Sequence, residues 1–147
     1  MGSLILPQSG RVYLDTQALI YTVERHPAYG VLLEPLWLAA RSQGIEVVSS
    51  ELLILETLVG PLKSGNPQLL ATYEHALFGT ELRLFPITQV VLRKAADLRA
   101  CLPGLRTPDA IHAATALVSD TVLFITNDDV FHQVPRLPFV VLRDLVS

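Results

Sequence analysis

Four carboxylates in this chain stand where an α/β fold keeps its ligands. Asp15 ends the apolar run Val12-Tyr13-Leu14 and passes into a helix-like segment, 17–24. An apolar run of that length beside a helical segment reads as a buried parallel strand. An acid where such a strand stops lies at the carboxyl edge of the sheet, where open α/β folds bind ligands. Asp128 follows a second run, Leu123-Phe124-Ile125-Thr126-Asn127, in the same manner. Glu56 and Asp109 sit on helical segments. Singly, each acid has a plain explanation: an N-cap for Asp15, solvent exposure for Glu56, the helix dipole for Asp109 and turn chemistry for Asp128. Jointly, carboxylates near one sheet edge repel one another unless a cation neutralises them. Oxygen ligands select hard ions such as Mg²⁺ or Mn²⁺ over zinc. Such ions suit phosphodiester hydrolysis, where they activate water and neutralise charge on the leaving oxygen.

The elements that must position these acids alternate. Strands are expected at 11–15, 45–48, 82–85, 121–126 and 139–142, which predicts an α/β fold with a mostly parallel sheet of four to five strands. His26-Pro27 breaks the first helix, because a residue before proline is pushed out of the helical region. Leu32, Leu33, Leu36, Trp37 and Ala40 are spaced as the buried stripe of a helix over 29–42. Ser50 is placed as the N-cap of a helix over 52–62, with Leu52, Leu55 and Val59 in its buried stripe. Asn66 with Pro67 opens a helix to about 78, and Thr88 caps one carrying Val91, Leu92, Ala95, Leu98 and Leu102 on one face. Asp109 falls in the first turn of the helix that starts at Thr107-Pro108. His112, one turn later, is read as a half-buried structural residue, and Asp129 as a cap for 130–132. No repeat or linker interrupts the pattern, so residues 1–147 are expected to form one domain.

Half of the 147 residues are hydrophobic and 17% are charged, more apolar than a lone small monomer needs, which anticipates an oligomer or partner surface. A net charge of −3 argues against general coating of nucleic acid, though acids clustered for a cation lower the charge by themselves. Arg11, Arg83, Arg93, Lys94, Arg99 and Arg106 are the candidates for a local basic patch. The single cysteine, Cys101, excludes an internal disulfide and a Cys-based zinc site, and is expected at a helix end. No apolar run approaches the ~18–20 residues that span a bilayer, and the opening residues lack a signal peptide's pattern; a cytoplasmic location without membrane contact is expected.

Val12-Tyr13-Leu14-Asp15-Thr16, Ser50-Glu51-Leu52 with Glu56, the run Arg106-Thr107-Pro108-Asp109-Ala110-Ile111-His112-Ala113-Ala114-Thr115-Ala116, and Ile125-Thr126-Asn127-Asp128 together resemble the PIN domain. The resemblance is nearest to VapC-like toxins of type II toxin–antitoxin systems, and covers nearly the whole chain in order. It implies a PIN-like α/β/α sandwich and a Mg²⁺- or Mn²⁺-dependent endoribonuclease. Asp15, Glu56, Asp109 and Asp128 would be its catalytic acids, with Asp15, Asp109 and Asp128 as metal ligands. Thr126 would support the last acid, and Thr16 would stand at the pocket rim. RNA as substrate, a homodimer and a cognate antitoxin protein are further implications. Gln17 departs from the smaller Ser or Asn common two residues after the first acid.

Rival readings fit less well. An aspartyl-phosphate hydrolase needs a second Asp where Gln17 stands. A phosphate-accepting receiver domain wants an acid ending the strand at 82–85 and a late Lys, yet Phe85-Pro86 ends that strand and no Lys follows Lys94. A PIN-like module that binds RNA or protein without cutting, or an RNA-processing nuclease outside toxin–antitoxin systems, are the remaining alternatives; the complete set of acids favours catalysis.

Overall fold

Alternation along short strands builds two cores, one on each side of a sheet. In the computed structural model, which describes residues 2–42 and 44–146, Val12 and Leu14 of β1 (Arg11–Leu14) enter one core and Tyr13 the other. Val47 and Val48 of β2 (Glu46–Ser50) divide in the same way, as the two-residue period of a strand requires. β3 (Arg83–Phe85), β4 (Leu123–Thr126) and β5 (Phe139–Val141) complete a five-stranded sheet in the order β3-β2-β1-β4-β5, every pair parallel. β1 is central, flanked by β2 and β4. Burial on both faces explains why Val12, Tyr13 and Leu14 are an uninterrupted apolar run. The expected α/β/α sandwich is therefore present; residues 1, 43 and 147 of the expected domain lie outside the described residues.

Helices cover both faces. α1 (Thr16–Val23), α2 (Tyr29–Arg41), α3 (Leu52–Ser64) and α4 (Pro67–Phe78) supply the core of Val12 and Leu14. α5 (Gln89–Cys101) and α6 (Thr107–Val118) supply that of Tyr13. Local capping sets their starts. Asn66 accepts the Leu69 N–H at 3.1 Å and Thr88 accepts the Val91 N–H at 3.2 Å, each satisfying a donor the first helical turn leaves free. At the break before α2, His26 Nδ1 accepts the N–H groups of Ala28 and Tyr29. Gly65 ends α3 in the left-handed conformation at φ 64°, which glycine adopts without steric penalty. The helix of alanines, α6, buries Ala110, Ala113, Ala114 and Ala116 completely, so its backbone lies close against the sheet.

Two expected stripes are corrected. On α3 the buried positions are Leu53, Thr57 and Pro61, whereas Leu55 is 69% exposed and Val59 55% exposed. Nearly every position of this helix is apolar, so periodicity could not choose a face; packing against α4, α1 and α6 chose it. On α5, Val91, Ala95 and Leu98 are buried but Leu92 is exposed, since it lies beyond the edge of the stripe. Cys101 is exposed at the end of α5. Among the described residues, no helix is long and apolar enough to cross a membrane.

The α3 assignment makes a sharp contrast. Leu53→Ala should lower unfolding free energy by about 2–5 kcal/mol, the usual loss for a buried leucine. Leu55→Ala should change it by no more than about 0.5 kcal/mol. Urea unfolding of dilute protein measures both, and equal losses would place Leu55 in the core.

Candidate functional site

The chain leaves β1 toward β2 on one side, while β4 and β5 lie on the other. The carboxyl ends of β1 and β4 therefore border the crevice at which the strand order reverses, the usual ligand position in open α/β sheets. Asp15 is the first residue beyond β1. Its N–H still donates to Ile125 O of β4 at 3.0 Å, and its side chain caps α1, accepting the Thr16 N–H on Oδ1 at 2.7 Å. The other oxygen, Oδ2, accepts the Thr126 hydroxyl at 2.7 Å. Asp15 is thus a helix cap and also a carboxylate 8% exposed at the sheet edge. Thr126, at the end of β4, accepts the Asp128 N–H at 3.0 Å. The hydroxyl expected to support Asp128 gives its proton to Asp15 and holds only the backbone of Asp128.

The next residue, Thr16, connects this corner to α3 and α6. Its hydroxyl donates to Glu56 Oε1 at 2.6 Å. The same oxygen lies 2.7 Å from His112 Nε2, and Thr16 Oγ1 is 3.1 Å from that nitrogen. Glu56 sits on the flank of α3 between its buried and exposed stripes, so it reaches the site without entering the core. His112, expected half-buried, is 2% exposed. Its far nitrogen, Nδ1, lies 2.7 Å from the Tyr13 hydroxyl, and Tyr13 is fully buried and stacked on Phe124 with ring centroids 5.0 Å apart. Neither Tyr13 nor His112 belongs to the acids picked from sequence. A signal existed for each: a tyrosine inside a buried strand needs a partner for its hydroxyl, and His112 stands one turn from Asp109 on the same helix.

Asp109 and Asp128 are held locally. Asp109, in the first turn of α6, receives the Arg106 backbone N–H at 3.4 Å and Nε at 3.5 Å. Asp128 accepts the Val130 N–H at 2.9 Å and caps the 3₁₀ turn Asp129–Gln133. That corrects the assignment of this cap to Asp129, which is exposed and pairs with Arg143 at 2.6 Å. The short turn begins one residue earlier than its sequence suggests, because Asp128 is still extended. Among the described residues, no three His, Cys, Asp or Glu side chains are grouped closely enough to hold a metal ion. A cleft of about 800 Å³ lies between α1, α2 and α4 and is lined by none of the four acids. Gln17 is exposed on α1.

Of the basic candidates, Arg11 and Arg83 begin β1 and β3 and therefore occupy the opposite, amino edge of the parallel sheet. There they share Glu46, Arg11 at 2.7 Å and Arg83 at 3.2 Å. Arg99 donates to Leu105 O at 3.2 Å and to the Thr107 hydroxyl at 3.0 Å, alongside Arg106 at the start of α6.

The two central acids are driven in opposite directions. Burial raises the Asp15 pKa, and attraction to His112 with the bonds from Thr126 and Thr16 offsets only part of that effect. Burial works the same way on Glu56, but its hydrogen bond and attraction to His112 outweigh it, with help from Thr16, and its pKa is lowered. A buried carboxylate left short of charge compensation, in an oxygen-only donor set, fits a hard divalent cation. Glu56 bonds through Oε1, Asp109 through Oδ2 and Asp128 through Oδ1, so the second oxygen of each could turn to an ion without breaking these contacts. The raised Asp15 pKa has a definite sign in linkage. A group raised on folding contributes stability below its unfolded value, about 4 for a carboxylate, and loses it as pH rises through the folded value. Near neutral pH the anion therefore weakens the fold. Asp15→Asn, which preserves the cap, should raise the Tm in EDTA near neutral pH, by about 2–4 °C for each kcal/mol relieved. The gain should disappear at pH about 4 and below, and thermal melts across pH measure it. A large fall in Tm at all pH values would make Asp15 a structural cap alone.

Comparison with known proteins bears on this arrangement. The family model described as the PIN domain matches residues 12–137, a span that contains all four acids. Among curated proteins, no relative matches. Solved structures share the fold. VapBC2 from Rickettsia felis bound to a promoter DNA fragment is 20% identical, with a TM-score of 0.72 over 89% of this chain and 98% of that one. A toxin–antitoxin complex from Klebsiella pneumoniae is 23% identical, with a TM-score of 0.68 over 89% and 97%. FitAcB from Neisseria gonorrhoeae is 17% identical, with a TM-score of 0.69 over 91% and 99%. With its strand order, its acid beyond the central strand and a family match over most of its length, the chain belongs to the PIN-domain family.

Proposed function

We propose that this chain is a metal-dependent endoribonuclease, the toxin of a toxin–antitoxin pair, working in the cytoplasm as one PIN unit. The observation that carries the reading is Asp15, buried at the β1–β4 crevice with its charge incompletely compensated, and linked through the adjoining Thr16 to Glu56. Asp15, Asp109 and Asp128 would hold Mg²⁺ or Mn²⁺. When bound, such an ion supplies activation of water and neutralisation of charge on the leaving oxygen of a phosphodiester. The chain's own residues do the rest. Thr126 and the Thr16 N–H keep Asp15 in place. Glu56, kept anionic by its partners, is placed to receive a proton from an attacking water. Arg106, 79% exposed in its side chain and beside Asp109, is the candidate contact for RNA phosphate, while Arg11 and Arg83 are committed at the far edge.

Support for protein partners comes from the surface and from the matched structures. Leu55, Val59 and Leu62 line the outer face of α3, and Val31 and Leu38 are exposed on α2. Such apolar stripes suit a homodimer or an antitoxin segment. The matched structure from Klebsiella pneumoniae is a toxin–antitoxin complex, and that from Rickettsia felis is VapBC2 bound to a promoter DNA fragment. One observation favours a second reading, a PIN module that binds without cutting: among the described residues no three ligands are grouped for an ion.

Purified protein tested on structured and single-stranded RNAs with Mn²⁺, Mg²⁺ or EDTA decides between them. Cutting is expected with either ion and not with EDTA. It should fall in Asp15→Asn/Asp109→Asn by more than the roughly 100-fold that loss of a supporting group can cause. No cutting by protein that demonstrably binds Mn²⁺ would favour the binding module. Expressed without a partner, the wild-type chain should slow bacterial growth and Asp109→Asn should restore it; equal toxicity of the two would exclude nuclease activity as the cause.

A further inference from the structure

The best-defined polar contacts of the site belong to two residues outside the acids. His112 lies between Tyr13 and Glu56, with Nδ1 2.7 Å from the Tyr13 hydroxyl and Nε2 2.7 Å from Glu56 Oε1. The ring is 2% exposed and the tyrosine fully buried, so water is shut out of the contact between them, while Glu56 reaches the mouth of the site with its side chain 23% exposed. Tyr13 is itself immobilised, stacked on Phe124 with ring planes 9° apart and edge-on to His112 at 5.8 Å between centroids. The bonding pattern leaves little choice of roles. Thr16 donates its proton to Glu56 Oε1, and the carboxylate can only accept, so Nε2 must carry hydrogen toward Glu56. That holds whether the Tyr13 hydroxyl gives its proton to Nδ1 or accepts one from it.

We propose that His112, oriented from behind by Tyr13, is the positioning residue for Glu56 in the proposed nuclease reaction. By fixing Oε1 together with Thr16, it leaves Oε2 as the oxygen offered to the reacting water or to the cation. Three elements meet in this device: Tyr13 comes from β1, Glu56 from α3 and His112 from α6. A core histidine with a merely structural role would need a partner for its nitrogens, but not one at the mouth of the site and another in the centre of the sheet. The proposal rests on the nuclease reading for the reaction, and on the present contacts alone for the positioning.

The test compares Tyr13→Phe, His112→Gln and His112→Leu with wild type. Readouts are thermal melting, Mn²⁺ affinity by calorimetry, and kcat and KM for RNA cleavage. Tyr13→Phe keeps the ring stack and removes one hydroxyl. It should lower kcat or Mn²⁺ affinity by about 10–100-fold, the range for groups that orient a metal site's side chains, with KM unchanged. His112→Gln retains a donor toward Glu56 and should recover most of the activity that His112→Leu loses, although both lose the Tyr13 contact and melt at similar temperatures. Overturning results are rate and affinity that follow melting temperature alone, with Gln no better than Leu, or Tyr13→Phe equal to wild type in both. Wild-type protein that binds Mn²⁺ without cutting would remove the nuclease reading, and the affinities would then decide the positioning role. Wild-type protein that neither binds Mn²⁺ nor cuts would overturn both. Cutting by wild type with no ordered difference among the variants would overturn the positioning role and leave the nuclease.

Discussion

The candidate site turns on one buried carboxylate at the seam between β1 and β4. Burying a charge is unfavourable unless it is hydrogen-bonded, and the bonds Asp15 receives are made by the fold itself. The Thr16 N–H is available only because a helix starts there, and the Thr126 hydroxyl only because β4 pairs with β1 in parallel register. The same register lets the Asp15 N–H extend the ladder to Ile125 O. These bonds hold the acid without fully compensating it, and its pKa stays raised. Under the proposed nuclease reading, a residue that weakens the fold near neutral pH yet occupies its central seam is one kept for chemistry rather than stability.

Glu56 is the complement of Asp15. Both are desolvated, but Glu56 meets His112 and Thr16 on one oxygen and stays easily ionised. Two acids whose surroundings push their proton affinities apart can take different parts in one reaction. On this geometry Asp15 is the acid that a cation would relieve, and Glu56 the acid already provided with partners. Asp109 and Asp128 belong to the same edge by topology, though each is tied to its own helix start. The three proposed ligands share one local feature: Asp15, Asp109 and Asp128 all stand at or within the first turn of a helical segment, where the dipole favours an anion.

The acids' neighbourhood also sets the geography of charge and apolar surface. Parallel strands put every strand start on the far edge, so Arg11 and Arg83 neutralise Glu46 there, away from the acids. At the start of α6, Arg99 from the end of α5 and Arg106 flank Thr107 and Asp109. The apolar excess of the composition is visible as exposed leucine and valine on α2 and α3 rather than as a larger core.

What the amino-acid order determined was set by short-range physics. The strand–helix alternation, the caps at Asn66 and Thr88, the break at His26-Pro27 and the acids after two strands depend on local hydrophobic period and backbone chemistry. The PIN motifs are legible for the same reason, since each is a contiguous stretch. Tertiary structure decided whatever depends on which faces meet. It chose Leu53, Thr57 and Pro61 over Leu55 and Val59 on a helix apolar all round, gave the cap of the last 3₁₀ turn to Asp128, and sent Arg11 and Arg83 to the opposite edge from the acids. It also joined Tyr13, His112 and Glu56, residues 99 and 56 positions apart in their two contacts. No local pattern encodes such a link, because it exists only once β1, α3 and α6 are packed together.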